Sequence, residues 1–117
     1  MRKMLIAVVV ATAMLVGAQA AFAAVSGETS IRYNATTQRF HGALASSNAE
    51  CIAGRTVKLY KKTASGAVVQ GKTRSSADGG WRIDVMHAGG HYFAVAPKFD
   101  AMHATCAAVR SDVVDVM

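Results

Sequence analysis

Residues 77–85 read Ala77-Asp78-Gly79-Gly80-Trp81-Arg82-Ile83-Asp84-Val85, a turn that runs directly into a strand. Asp-Gly-Gly reverses a chain cheaply, because glycine reaches positive φ without a Cβ penalty. Beyond it, Trp81, Ile83 and Val85 alternate with Arg82 and Asp84. That period of two gives one dry face and one wet face, so Trp81 points inward. An outward Trp81 would instead be a sugar-stacking platform, which normally wants a second exposed ring.

The same period extends in both directions. Phe40, Gly42 and Leu44 alternate with His41 and Ala43, and Val57 and Leu59 with Lys58 and Tyr60. Tyr92 to Ala96 is apolar on both sides, as in a central strand, whereas Gly71 interrupts Ala67 to Lys72, as at a sheet edge or bulge. Ile31 to Tyr33 is expected to open the sheet and Val113 to Val116 to close it; Ala24 to Ser30 and Pro97 to Thr105 read as loose. Turns fall at Thr63 to Gly66 and His87 to Gly90. Glycine recurs too often for a helical stripe to last three turns. The prediction is an all-β, antiparallel sandwich of seven to eight strands, with Phe40, Leu44, Val57, Leu59, Trp81, Ile83, Val85, Tyr92 and Ala94 as the most buried positions.

Arg2 and Lys3, the apolar run Met4 to Val16 and the small residues Gly17 to Ala24 have the three-part pattern of a helical signal peptide. The run is too short to span a membrane before Gln19. Cleavage after Ala23 or after Ala20 satisfies the small-residue rule equally. The expected organisation is a leader over 1–23 and one domain over 24–117. The 117 residues are 52% hydrophobic, which excludes a disordered chain, and the net charge of +6 falls to +4 without Arg2 and Lys3. The expected location is secreted, periplasmic or cell-surface, with no membrane span once the leader is removed.

Two cysteines in an exported chain allow one intramolecular pairing, Cys51 with Cys106, and neither has a Cys-x-x-Cys partner. Closing that loop removes about 4 kcal/mol of unfolded-chain entropy. The competing readings are a catalytic thiol or an intermolecular bridge. If strands alternate up and down, both cysteines and the Asp78 turn emerge at one end, with His103 near the cysteines and His41, His87 and His91 toward the other end.

Those three histidines are the candidate metal ligands, with the preferences of zinc or copper. They lack a His-x-His or a helical His-x-x-x-His, the Gly89-Gly90 pair between His87 and His91 favours a mobile turn, and no carboxylate has supporting spacing, so neither metal nor cofactor is expected. Lys58, Lys61, Lys62, Lys72, Arg74 and Arg82 form a candidate basic stripe for an anionic polymer. The plainer account is a charged edge that discourages strand-to-strand aggregation. No motif points to a specific nucleic acid, a nucleophile elbow or a phosphate loop. Asn34-Ala35-Thr36 is a glycosylation sequon, meaningful where secreted asparagines are modified.

Several elements occur together in order: Phe40-x-Gly42-x-Leu44-x-Ser46, Cys51-x-x-Gly54-Arg55-x-Val57-x-Leu59-Tyr60, Ala77-Asp78-Gly79-Gly80-Trp81-x-Ile83, Gly90-x-Tyr92-Phe93-Ala94, then Cys106 and Ser111. Over most of residues 38–116 this resembles secreted prealbumin-like sandwich modules, nearest to carboxypeptidase regulatory-like domains. The resemblance implies an Ig-like or prealbumin-like sandwich in which the Val-x-Leu-Tyr strand and the Asp-Gly-x-Trp turn are scaffold. Transthyretin-like hydroxyisourate hydrolases end in Tyr-Arg-Gly-Ser; this chain ends Asp115-Val116-Met117, so that activity does not carry over. Collagen-adhesin B-type repeats join a Lys to an Asn near the last strand, and Val113 to Met117 holds no Asn. The expected function is that of a non-enzymatic, exported module with a structural or interaction role, its partner an envelope or extracellular protein or an anionic polymer. The alternatives are a transthyretin-like carrier of a small ligand or an anionic-polymer binder, and thirdly a hydrolase.

Overall fold

The computed structural model describes residues 23–117, so the expected leader helix lies outside the described residues. In chain order the strands are β1 (Gly27–Thr29), β2 (Arg32–Asn34), β3 (Arg39–Ser46), β4 (Thr56–Thr63), β5 (Gly66–Arg74), β6 (Gly80–Asp84), β7 (Gly90–Ala96), β8 (Phe99–Asp100), β9 (Thr105–Cys106), β10 (Val109–Arg110) and β11 (Val114–Val116). The single helical element among the described residues is a 3-10 turn, Ala49–Cys51. In the first sheet β3 is central, with β6 on one edge and β1 and β2 in tandem on the other. In the second, β7 and β4 are central, β5 is one edge, and β10 and β11 share the other. Every strand pair is antiparallel, and a small β8–β9 ribbon is added outside.

Each tandem pair occupies one strand position, so the eleven segments make a seven-position sandwich plus the ribbon. Two expectations are corrected. Residues 24–30 are not loose, because Gly27–Thr29 pairs with Leu44–Ser46 before the chain steps to β2. Residues 97–105 are not loose either, because Phe99 and Asp100 pair with Cys106 and Thr105.

The inner faces of both sheets meet in one cluster that includes Phe40, Leu44, Trp81 and Ile83 from the first sheet and Val57, Leu59, Tyr92, Ala94 and Val109 from the second. Val85 alone of the expected core is only partly buried, because β6 ends at Asp84. Trp81 is 4% exposed, and its indole N–H donates to Thr29 Oγ1 at 2.9 Å, so the ring is dry and its one polar atom is satisfied. Gly42 faces Trp81 across the strands, where a Cβ would stand 2.7 Å from the indole and 2.1 Å from Ser30 O. Phe40 sits between Tyr33 and Tyr92, with ring centroids 4.6 and 4.7 Å away. The Tyr92 hydroxyl donates to Gly89 O at 3.2 Å and accepts from Gly89 N at 3.0 Å, the corner device found in many sandwiches.

The expected edge at β5 is present with its bulge. Leu59 faces Gly71 and Tyr60 faces Val69, leaving Gln70 as the extra residue. Gly71 also lets the edge close on the other sheet, since a Cβ there would lie 2.8 Å from Ile83 Cγ2.

Candidate functional site

Cys51 and Cys106 are joined by a disulfide, with Cα atoms 5.5 Å apart, at the end of the sandwich that also holds the turn before β6. A disulfide of this kind is consistent with an oxidising compartment. Beside it Arg55, 1% exposed, directs its guanidinium at main-chain carbonyls. It donates to Cys51 O at 3.3 Å, Ala96 O at 3.3 Å, Pro97 O at 2.8 Å and Ala107 O at 3.1 Å. No carboxylate pairs with it among the described residues, and Arg55 Nε has no partner. Burial lowers its pKa. Ser75 completes the knot, accepting from Arg55 N–H at 2.9 Å and donating to Ile52 O at 2.6 Å.

The six residues of the candidate stripe divide between surfaces. On β4, Val57 and Leu59 point inward, so Lys58, Tyr60 and Lys62 face outward, and the ladder brings Lys72 opposite Lys58 and Arg74 opposite Thr56. Lys61 takes the inner phase at the strand's end, its ammonium 5.9 Å from the Tyr92 ring centre. Arg82 belongs to β6, on the outer face of the other sheet. Arg74, at the end of β5, lies toward the disulfide end and donates to Gly54 O at 3.2 Å.

The outer face of the four-position sheet carries features that the sequence reading missed. Tyr60 stacks on Phe93 with centroids 5.4 Å apart, and the Arg110 guanidinium lies 4.0 Å from the Phe93 ring centre. Phe93 is therefore only 5% exposed although it is on an outer face. Nearby, Lys58, Lys72, Lys98 and Phe99 line an open depression of about 320 Å³. The β8–β9 ribbon delivers Lys98 and Phe99 to this place. The adjacency of Lys and Phe was the available signal, masked by the loose reading of that segment.

An open groove of about 760 Å³ lies beside β5, over the outer face of β3 and β6. Arg39, His41, Arg74 and Arg82 line it. Asp78 lies at its rim, where Ser76 Oγ and Gly80 N–H both donate to its carboxylate and lower its pKa.

The candidate metal ligands are dispersed. His41 is in this groove, His87 lies in the β6–β7 turn at φ 57° and lines a different depression, and His91 bonds Asp115 across β7 and β11. Among the described residues no group of three or more His, Cys, Asp or Glu side chains is placed to hold a metal ion. His103 does lie at the disulfide end, where its N–H and ring Nδ1 both meet the Glu50 carboxylate at 2.9 Å and lower the Glu50 pKa. Asn34 of the sequon is exposed at a hairpin turn, its side-chain oxygen accepting from the N–H groups of Thr36 and Thr37. No helix among the described residues is long and apolar enough to cross a membrane.

No family model, curated protein or solved structure matches the chain.

Proposed function

We propose that the protein is an exported, non-enzymatic β-sandwich module of the prealbumin-like type that binds an anionic polymer of the envelope or matrix on the outer face of its four-position sheet. The observation that carries this reading is the depression formed by Lys58, Lys72, Lys98 and Phe99 beside the Tyr60–Phe93 stack. Lys58 and Lys72 are directly opposed in the ladder, an arrangement that costs stability through like-charge repulsion and becomes favourable when an anion spans them. Asp115, which opposes His91 in the ladder of this sheet, is bonded to it. The disulfide supports the exported setting and the charge pattern supports the ligand class.

The test is equilibrium binding of the oxidised protein to dextran sulfate at rising salt. Affinity should fall steeply with salt, and Lys58→Ser/Lys72→Ser should weaken it about tenfold at low salt. Absence of binding at low salt, or equal affinity of the double variant, would refute the reading.

A further inference from the structure

The groove over β3 and β6 is a separate place. Register puts Arg32, His41 and Arg82 in one row across β2, β3 and β6, all on the outer face and all exposed. Neighbours in such a row have Cβ atoms roughly 5 Å apart, so two guanidinium charges stand on either side of one imidazole. Nearby carboxylates do not neutralise them. Asp84 is taken by Arg39 at 2.7 Å, and Asp78 is taken by Ser76 and Gly80. Arg32, His41 and Arg82 make no side-chain hydrogen bond or ion pair among the described residues. The free Arg82 guanidinium and the His41 ring therefore line a concavity of about 760 Å³, with Arg32 next to His41 in the row.

We infer that this groove binds a phosphate or sulfate group carried on a small organic ester. Arginine presents a fork of donors suited to oxyanions, and His41 between two arginines adds a further ring nitrogen. A tetrahedral anion has enough oxygens to engage several strands at once, whereas a carboxylate offers two. The volume exceeds that of the anion alone, which leaves room for the organic part along Gly42, Thr73 and the rim at Ser76. This site is independent of the lysine depression, because Lys58 and Lys72 lie on the outer face of the other sheet.

The experiment is an amide NMR titration of the oxidised protein with inorganic phosphate, and separately with glycerol phosphate, at ionic strength held constant with sodium chloride. Saturable shifts are expected at His41, Gly42 and Arg82, with the ester binding at least as tightly as the free anion. Arg82→Ser should lower affinity tenfold or more while the Trp81 indole resonance stays in its folded position, and Lys58→Ser/Lys72→Ser should leave affinity unchanged. Shifts spread evenly over every Lys and Arg would overturn the site, as would an Arg82→Ser variant that binds like the parent or tighter binding of inorganic phosphate than of the ester. Should Arg82→Ser fail to fold, His41→Ala gives the same discrimination.

Discussion

The start of strand β4 and the strand along its flank belong to regions built on opposite principles. At its start, Cys51, Arg55, Ser75 and Cys106 are all at most 6% exposed, and the region is held by one covalent bond and a set of buried polar ones. Along its flank, β5 is exposed at most positions, with Val68 and Val69 about half open, and is held to β4 by a backbone ladder. The contrast teaches where each kind of sequence change is felt. The first region spends its polar groups on itself and tolerates no loss. The second leaves side chains free, so substitutions there disturb the fold little.

The sharpest way to break the comparison is Arg55→Ala. It leaves the carbonyls of Cys51, Ala96, Pro97 and Ala107 buried without the guanidinium that satisfies them. The expected loss is about 3 to 5 kcal/mol, since hydrogen bonds to a charged donor are strong and orphaned buried acceptors are costly. Urea unfolding should show it, and Arg55→Lys should recover only part, because an ammonium lacks the planar fork. A loss under about 1 kcal/mol would mean that water replaces the guanidinium and that the region is less tightly built than its burial indicates.

Removing the staple ranks next. The oxidised protein should show a mass two hydrogens below the dithiol, no free thiol and no linked dimer. Cys51→Ser/Cys106→Ser should cost about 2 to 4 kcal/mol, below Arg55→Ala when both are measured at one temperature, because the guanidinium still gathers the chain on both sides of Cys106. The reverse ranking would make the covalent bond the organiser and Arg55 its follower.

On the flank, Val68→Thr/Val69→Thr should change stability by no more than about 0.5 kcal/mol, the range of surface substitutions, and should leave the melting curve cooperative. A larger loss would show that β5 contributes to the core through more than the Gly71–Ile83 approach.

Much of this architecture was legible because it follows a local rule. The alternation around Phe40, Val57 and Trp81 records which side of each strand is dry, and two cysteines have one way to pair internally. Arg55 was not legible in that way. A charged residue before a strand reads as solvent-facing, and its partners are main-chain carbonyls as much as 52 positions away, which carry no side-chain signature. Phe93 was hidden similarly, since the groups covering it, Tyr60 and Arg110, come from strands on either side. The candidate sites share this limit. Lys58 and Lys72 could be placed on one sheet by alternation, but Lys98 and Phe99 arrive through a ribbon whose strands are two residues long.

The smallest expected effect tests whether the stapled end can be loosened at its rim without being opened. Glu50 accepts from the His103 N–H and from its ring, chiefly lowering the carboxyl pKa through the backbone bond. A carboxyl whose folded pKa is depressed contributes stability above its unfolded value of about 4.3, and that contribution disappears as pH falls through the folded value. Asp78 acts in the same direction at the adjoining turn, so the comparison must be made against Glu50→Gln rather than within the parent alone. Near neutral pH the parent should be slightly the more stable in urea, and the gap should close on acidification below about pH 4. Hydrogen exchange at the His103 amide should speed up in Glu50→Gln while the Cys106 region stays protected, because the disulfide and the Arg55 bonds do not depend on this carboxylate. If both accelerate together, the Glu50–His103 contact belongs to the polar knot rather than to its rim.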